Sequence, residues 1–463
     1  MKSIRRDWNH FWFDRVSPVP LGVFRMVFGA LVVAYGLLLF PERFLWFSNQ
    51  GVLTVEAAGN YNGSGPGLLR LNPLAQPGSN YSLNFQVYSL RNFHLFSHAH
   101  TLHLSLPGSD SWLTPFFVLF LIAAVCVTLG FWTRTNSVIV YLCLSALHSR
   151  NSPIHNSGDT VIMVMSAYLV LSPAGAACSL DRLWRIFRGK EGDEPPLIVP
   201  WAQRLMQIQV AVLYLCASLS KVTGQPWIDG TAVYYPMHLP ESVRFPVLWP
   251  DNLLIINAVT WGTMAIEMSL AALIWVPRLR LYVIAGGVLL HLGIEYTMNI
   301  PLFSYLMIAT FINFLTAADF QFFLAWMKRP LGLTPLRLAY DGECDFCKSC
   351  LLVIRYLDVF RQITFIDSHD ADAREAAGVR FADAEEAAIA VRPDGRQFAG
   401  FDAFRLVAWQ LPLTALLAPL LYIPGVPQLG RRAYTWIKDN RSRLPVAPRY
   451  KATLAETRTS VEV

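Results

Sequence analysis

Two cysteines near the C-terminal end of the chain are spaced for thiol redox chemistry. The segment 341–347 reads Asp-Gly-Glu-Cys-Asp-Phe-Cys and lies between a short apolar run that predicts a strand and a run that predicts a helix. A thiol at a helix N-terminus ionises more easily, because the backbone dipoles stabilise the thiolate. A second thiol one turn further on can form a disulfide with it. We therefore predict that Cys344 and Cys347 are a redox-active pair.

Two other interpretations of this cysteine pair stay open. It can be half of a zinc site, which needs a second pair of ligands. Cys350 and His369 are available, but their spacing matches no common zinc pattern, and we expect no metal. The pair can also be chemically inert. A cluster of histidines nearer the N-terminus also lacks a known ligand spacing and is interpreted as loop residues: His94, His98, His100 and His103.

A second group of candidates consists of ionisable residues inside apolar segments. Such residues are costly in a lipid environment and often functional. They are Arg25, Lys221, Glu267, His291 and Glu295. Gln207 and Tyr214 precede Lys221 at intervals of seven residues, so the three share one face of a helix. A polar stripe of this kind should face a helix bundle or a wet cavity; alternatively, Lys221 extends from the end of its helix to the membrane surface.

The composition indicates that these residues belong to a membrane protein. The chain has 463 residues, of which 54% are hydrophobic and 15% charged, against about 25% charged in water-soluble proteins. The basic residues lie in short clusters beside apolar runs, which argues against nucleic-acid binding. Eight apolar segments are candidate spans: 20–40, 112–132, 135–149, 157–174, 201–221, 253–276, 279–298 and 301–318. We predict a polytopic α-helical membrane bundle.

The charge pattern predicts the orientation of the bundle. With eight spans, four basic clusters fall on one side, which should be the cytoplasm. They lie at 2–15, 182–190, 278–280 and 328–329. Both termini would then be cytoplasmic, loop 41–111 external, and the protein a multi-pass inner-membrane protein. Residues 1–19 are interpreted as an interfacial amphipathic helix, rich in aromatic residues and arginines.

Beyond the last apolar segment, the pattern changes to that of a small α/β domain. Strands are predicted at 336–340 and 363–367, with a helix at 345–358 between them. A hairpin signal follows, with 387–392 and 397–399 flanking Pro393-Asp394-Gly395. This order is thioredoxin-like. The predicted organisation is a membrane domain at 20–318, a linker at 319–334, a thioredoxin-like domain at 335–445 and a tail at 446–463.

The C-terminal segment resembles the DCC family of thiol-disulfide oxidoreductases. Residues 340–347, Tyr-Asp-Gly-Glu-Cys-Asp-Phe-Cys, match the signature of that family and include Asp341. Further matches are Asp394-Gly395, 400–403, Leu411-Pro412 and 434–441. The resemblance implies a redox-active disulfide and covers about 335–445. Thioredoxins carry a cis-proline before the strand that faces the cysteine pair, whereas this sequence has no proline just before Ala387.

The membrane segment resembles the vitamin K-dependent gamma-carboxylase and HTTM family over about 8–318. Residues 214–222, Tyr-Leu-Cys-Ala-Ser-Leu-Ser-Lys-Val, are followed by Trp227-Ile228-Asp229-Gly230. The family has the same arrangement of a tyrosine, small residues, a lysine and Trp-x-x-Gly. Further matches are Arg25 with Gly29, the segment 151–159 with His155 and Asn156, Ser179-Leu180-Asp181, and Glu267.

This second resemblance implies a role for Lys221. In the carboxylase branch the lysine deprotonates a vitamin K-type hydroquinone, and burial would favour the neutral lysine that a base requires. Two departures stand out. The family has an Asn-His pair where this chain has Asn156-Ser157, and the large lumenal domain that binds the carboxylase's propeptide substrate is absent.

Three functions follow from these residues. The first is a membrane carboxylase- or epoxidase-like enzyme that depends on a quinone, with Lys221 as base and an attached dithiol domain. Its partners would be membrane lipid, the quinone and a protein or peptide substrate. The second is a membrane-tethered thiol-disulfide oxidoreductase. The third is a non-catalytic transport, immunity or lipid-binding protein.

Overall fold

The chain divides into two compact units. In this computed structural model, the structure describes residues 2–48, 50–53, 110–151, 154–247, 251–328, 334–415 and 417–448. The first unit comprises residues 1–181 and 196–316, and the second comprises 182–195 and 317–463. The histidine cluster between His94 and His103 lies outside the described residues, as does most of loop 41–111.

The first unit is built from helices, and a helix occupies each of the eight predicted apolar segments. The helices are α1 (Lys2–Phe13), α2 (Val19–Leu39), α3 (Arg43–Phe47), α4 (Leu113–Leu129), α5 (Thr133–Arg150), α6 (Ser157–Leu171), α7 (Leu180–Phe187, whose last six residues belong to the second unit), α8 (Trp201–Lys221), α9 (Gln225–Ile228), α10 (Tyr234–Met237), α11 (Leu253–Ala272), α12 (Arg280–Thr297) and α13 (Phe303–Phe311). Helix α1 agrees with the helix predicted at the N-terminus.

Fewer of these helices than the eight predicted are long and apolar enough to be membrane spans. Among the described residues, Val19–Leu39 and Leu253–Trp275 are long and apolar enough to cross a membrane. A third candidate is the bent pair Phe303–Phe314 and Ala317–Lys328, if it counts as one span. Helix α4 is apolar but has 17 residues, and α6 has 15. A helix rises 1.5 Å per residue, so both are short for a bilayer core about 30 Å thick.

Close packing of helices α2 and α4 forms the centre of the first unit. Phe24 and Phe28 on α2 and Phe117 and Phe120 on α4 are fully buried in one apolar core. A side chain at Gly29 would place its Cβ 2.6 Å from the hydroxyl oxygen of Thr128 on α4. The glycine therefore permits the close approach of the two helices.

The second unit contains a four-stranded mixed sheet in the order β2-β1-β3-β4. Strand β1 (Leu336–Tyr340) pairs in parallel with β2 (Ile363–Asp367) and antiparallel with β3 (Ile389–Val391). Strand β3 forms a hairpin with β4 (Gln397–Ala399). Helix α15 (Asp345–Leu357) connects β1 to β2. The predicted order of strand, helix, strand and hairpin is confirmed.

The remaining helices of the second unit include one in the segment predicted as a linker. They are α14 (Ala317–Lys328), α16 (Ala371–Ala376), α17 (Phe381–Glu386), α18 (Phe401–Gln410), α19 (Pro412–Ala415) and α20 (Val426–Asn440). Helix α14 occupies most of the predicted linker, because Phe-Gln-Phe-Phe-Leu-Ala-Trp-Met is a good apolar helix sequence. The start of the predicted tail is packed: Ala447 is buried and its N–H donates to the Ser349 hydroxyl at 2.8 Å.

Candidate active sites

A large cavity in the first unit brings together several of the predicted site residues. Its volume is about 1240 Å³, and its walls come from helices α6, α8, α11, α12 and α13. Five residues singled out from the sequence line it: Tyr214, Lys221, Trp227, Glu267 and His291. The walls between them are mostly apolar. The cavity can therefore hold a large apolar molecule beside a small group of polar side chains.

Lys221 and Glu267 form an ion pair in this cavity. The Lys221 ammonium lies 2.9 Å and 2.8 Å from the two carboxylate oxygens of Glu267. Both side chains are largely buried. The ammonium also lies 5.0 Å from the centre of the Trp227 ring, a cation–π distance. The lysine is thus held inside the first unit by a carboxylate and a ring, and does not extend freely to a membrane surface.

Tyr214 and His291 form a second polar pair in the same cavity. The Tyr214 hydroxyl lies 2.6 Å from Nε2 of His291, and both residues are buried. Helix α8 places Tyr214 and Lys221 two turns apart on one face, as the spacing predicted. Helices α11 and α12 supply Glu267 and His291. Since these residues are far apart in sequence, only the packing of the helices shows that they are neighbours.

The structure places the other predicted residues of the first unit outside this group. Gln207 donates to the backbone carbonyl of Asn313 at 2.6 Å, and so connects α8 to the segment after α13. The buried Arg25 donates to the carbonyl oxygens of Val127 and Cys178. Both arrangements stabilise the fold, because they satisfy carbonyl groups inside the bundle.

Asn156 and His155 precede helix α6 and also lie outside the group. Asn156 is the N-cap residue of this helix: its side chain accepts from the N–H of Gly158 at 2.6 Å, within a capping box. The His155 ring lies 4.3 Å from that of His148. Ser157, the first residue of α6, lines the cavity.

Two further polar clusters of the first unit were not predicted as clusters, although Glu295 was one of the ionisable residues singled out from the sequence. The Tyr35 hydroxyl donates to Asp159 at 2.8 Å and lies 3.2 Å from Nε2 of His148. Arg244 forms an ion pair with the buried Glu295. The sequence signal for Glu295 and His148 was the presence of an ionisable residue in an apolar run. Their partners could not be found, because the contacts join segments far apart in the chain.

The cysteine pair of the second unit has the geometry predicted from its spacing. A disulfide joins Cys344 and Cys347, whose Cα atoms are 5.2 Å apart. Cys344 is the N-cap of α15, and its sulfur accepts from the N–H of Cys347 at 3.2 Å. This contact places the sulfur where the helix dipole and the backbone N–H stabilise a thiolate.

Asp341 supports the loop before the cysteine pair. One carboxylate oxygen accepts from the N–H of Glu343 at 2.9 Å, and the other lies 3.4 Å from the Arg441 guanidinium. A Cβ at Gly342 would lie 1.9 Å from the carboxylate of Asp367, so a larger residue there would displace that carboxylate. The loop is thereby fixed between β1 and α15.

A pocket of about 380 Å³ adjoins Cys347. Its lining includes Phe346, Cys350, Ala387 and Tyr434. Burial raises the pKa of the Cys350 thiol, so this cysteine is less reactive at neutral pH than an exposed one. In the described part of the chain, no group of three or more His, Cys, Asp or Glu side chains is arranged to hold a metal ion.

Comparison with known proteins assigns the two units. A family model described as HTTM domain matches residues 80–318, which is more than half of the chain. The chain belongs to the HTTM family. A second model, DCC1-like thiol-disulfide oxidoreductase, matches residues 338–447 of this HTTM protein. The resemblances to the HTTM family and to the DCC family are thus confirmed.

Two relatives of this HTTM protein come from Bacillus subtilis (strain 168). The uncharacterized protein YitO is 29% identical over 138 residues, which are 27% of this chain and 43% of YitO. The sporulation-delaying protein SdpB is 26% identical over 196 residues, 40% of this chain and 58% of SdpB. The chain thus spans about half of the length of these relatives. No solved structure matches the chain significantly.

Family and structure together characterise the two units. The HTTM family and the apolar helices indicate a membrane domain. The second unit is a DCC1-like thiol-disulfide oxidoreductase domain with a redox-active cysteine pair, whose disulfide lies at a helix N-terminus. The chain thus combines a membrane domain with a thiol redox domain.

Proposed function

We propose that the first unit is a quinone-linked enzyme of the vitamin K type, in which Lys221 accepts a proton from a bound hydroquinone. The observation that carries the proposal is the Lys221–Glu267 pair inside the 1240 Å³ cavity. This cavity is larger than most ligand pockets, which measure about 300–1,000 Å³, so it has room for a large ligand. It combines apolar walls with a titratable pair, as an apolar molecule with acidic hydroxyl groups requires.

The ion pair changes the chemistry expected of Lys221. A carboxylate within 2.9 Å stabilises the ammonium form of a lysine. A base must be neutral, so Lys221 can act only after its proton has passed to Glu267. The short distances between the two groups allow this transfer inside the cavity, and the pair would act as one unit.

Other residues of the cavity would bind and orient the hydroquinone. Trp227 supplies a flat apolar surface beside the lysine, and the Tyr214–His291 pair supplies a second hydrogen-bonding group. When bound, a reduced quinone supplies two electrons for reaction with oxygen. The residues of this chain would exclude water, hold the ring and accept the hydroxyl proton.

We restrict the proposal to the quinone step. Ser157 lines the cavity where the carboxylase family has a histidine, and a hydroxyl cannot replace the imidazole as a proton-transferring or charge-stabilising group. Carboxylation of a peptide glutamate is therefore outside the proposed activity.

The proposal includes the membrane topology. Eight helices would cross the inner membrane, with both termini in the cytoplasm, since this arrangement places all four basic clusters on one side. Lys221 would then lie near the external side, and the cysteine pair in the cytoplasm. A quinone that diffuses in the bilayer could carry electrons between the two sites, which are otherwise separated by about 30 Å of hydrocarbon.

The second candidate function is a membrane-tethered thiol-disulfide oxidoreductase, in which the first unit acts as an anchor. The position of Cys344 at the N-terminus of α15 favours it. The two functions require different residues for activity. The first requires Lys221, whereas the second requires the cysteine pair alone.

The deciding experiment is oxidation of a naphthohydroquinone by dissolved oxygen, catalysed by the purified protein in detergent. We expect turnover by the wild type and a loss of about 10²–10⁴-fold in Lys221→Ala, the range for removal of a general base. Lys190→Ala, which changes an exposed lysine, is the matched control. Equal rates in wild type and Lys221→Ala would refute the proposal and leave the thiol function.

A further inference from the structure

The surface formed by residues 417–436 of the second unit, here called the 417–436 face, combines exposed apolar and basic side chains. It consists of a short 3₁₀ helix (Ala418–Tyr422) and most of helix α20. We propose that this face binds the surface of an anionic lipid bilayer. The proposal depends on the membrane location of the chain and not on quinone chemistry.

Large apolar side chains are concentrated on this face. Leu429 is 68% exposed and Trp436 is 60% exposed, and both lie on α20. The preceding segment exposes Leu417, Leu420 and Ile423 to a similar degree. Scattered exposed leucines need no explanation, but five large apolar residues within 20 positions mark an interaction surface.

Helix α20 has separate inward and outward apolar faces. Gly430 packs so closely against the Phe401 ring that an added Cβ would lie 2.3 Å from it, and the Tyr434 hydroxyl accepts from the N–H of Ala388. These contacts hold the inward face against the domain. Leu429 and Trp436 are seven residues apart, so they share another side of the helix. The exposed residues are thus a second surface and not the edge of the domain core.

The charge on this face fits an anionic partner. Residues 417–436 contain Arg431 and Arg432 and no acidic residue. The next seven positions add three basic residues, Lys438, Arg441 and Arg443, and one acidic residue, Asp439. Three of the basic residues form ion pairs within the domain: Arg431 with Asp402, Lys438 with Glu386 and Arg441 with Asp341. Arg432 and Arg443 are exposed and form no ion pair within the part of the chain that the structure describes. Basic residues near a membrane surface are attracted to anionic lipid.

The residue types fit a membrane surface better than a protein partner. Tryptophan is enriched at the headgroup level, leucine inserts just below it, and arginine pairs with lipid phosphates. Pro419, Pro424 and Pro427 prevent the segment from crossing the membrane as one helix. The bilayer that holds the first unit is also always available to the second. Since α20 lines the pocket beside Cys347, binding would place that pocket close to lipid.

The test uses the full chain reconstituted into vesicles that carry a lipid with a photoreactive diazirine in its acyl chain. Vesicles of phosphatidylcholine alone are compared with vesicles that also contain phosphatidylglycerol. After irradiation, labelled peptides are mapped by mass spectrometry. We expect the peptides covering 417–436 to be labelled, and more strongly with the anionic lipid. Peptides of α11 serve as the positive reference.

A double variant, Leu429→Glu with Trp436→Glu, should reduce labelling of these peptides about tenfold, since it places two carboxylates at an anionic surface. Both positions are exposed, so the fold should be retained. Val359→Glu, at another exposed apolar position of this unit, is the control and should have no effect. The proposal is overturned if α11 is labelled and 417–436 is not. Crosslinks from this face to a second copy of the chain, in place of lipid, would also overturn it.

Discussion

At the scale of single residues, Lys221 and Glu267 are the pair on which the proposed chemistry depends. Each is a charged residue in an apolar helix, and each would be costly in lipid without a partner. Their mutual contact offsets that cost, and it also gives the lysine a neighbour that can take its proton. A variant at one of them therefore affects both stability and activity.

We predict that stability and activity separate when both residues of the pair are replaced. Lys221→Met leaves Glu267 buried without a cation and should reduce stability by roughly 3–5 kcal/mol. The double variant Lys221→Met/Glu267→Leu removes both charges and should recover most of that stability, but no hydroquinone oxidation. Thermal unfolding in detergent, followed by the helical circular dichroism signal, measures the first effect. A double variant no more stable than Lys221→Met would contradict the pairing.

The thiols of the second unit should differ in reactivity after reduction. Cys344 lies at the N-terminus of α15 and should react fastest with iodoacetamide near neutral pH. Burial raises the pKa of the Cys350 thiol, so its thiolate fraction should increase only above the pH at which an ordinary thiol ionises. Its alkylation rate should follow the thiolate fraction. Mass spectrometry over a pH series measures both rates. Alkylation of Cys350 with a midpoint at or below neutral pH would contradict this prediction.

At the scale of elements, Asp181 shows how residues distant in sequence complete a helix. Its carboxylate accepts from the N–H groups of Trp132 and Thr133, each at 2.8 Å, and from the Thr133 hydroxyl at 2.6 Å. These groups lie at the N-terminus of α5, which has no cap in its own sequence. The match of Ser179-Leu180-Asp181 to the family thus has a structural explanation.

Asp181→Ala should destabilise the first unit by about 1–2 kcal/mol, the usual effect of losing an N-cap. Faster hydrogen exchange should be confined to the first turn of α5 and its neighbours. Asp181→Asn keeps an acceptor oxygen and should lose less stability than Asp181→Ala. Equal exchange in wild type and Asp181→Ala would show that water replaces this cap without loss.

At the scale of the whole molecule, the order of segments along the chain does not match their division between the two units. The segment 182–195 lies between helices α6 and α8 in sequence, but it folds with the second unit. Ile186 packs with Leu352 of α15 and with Ala447. Asp193 pairs with Arg355 at 3.2 Å. The second unit is therefore incomplete if it is expressed from residue 317 onward.

Ile186→Ala should therefore destabilise the second unit, by about 2–4 kcal/mol for truncation of a buried isoleucine. The effect should appear as faster proteolysis and faster hydrogen exchange of α15. Lys190→Ala in the same segment changes an exposed side chain and should behave as wild type. Unchanged exchange of α15 in Ile186→Ala would show that this segment does not stabilise the unit.

The sequence by itself determined the features that depend on local patterns. The helix at each apolar segment, the βαβ unit with its hairpin and the cysteine pair at a helix start all follow from periodicity, turn residues and spacing over a few positions. The family assignments also followed from short sequence motifs. The helical face shared by Tyr214 and Lys221 was predicted for the same reason.

Only the tertiary structure decided which distant residues meet. Glu267 lies beside Lys221, His291 beside Tyr214, and Gln207 and Arg25 at backbone carbonyls. Contacts of this kind depend on how whole helices pack, and a single sequence contains no record of that packing. For the same reason, helix α14 in the predicted linker and the place of 182–195 in the second unit came from the structure alone.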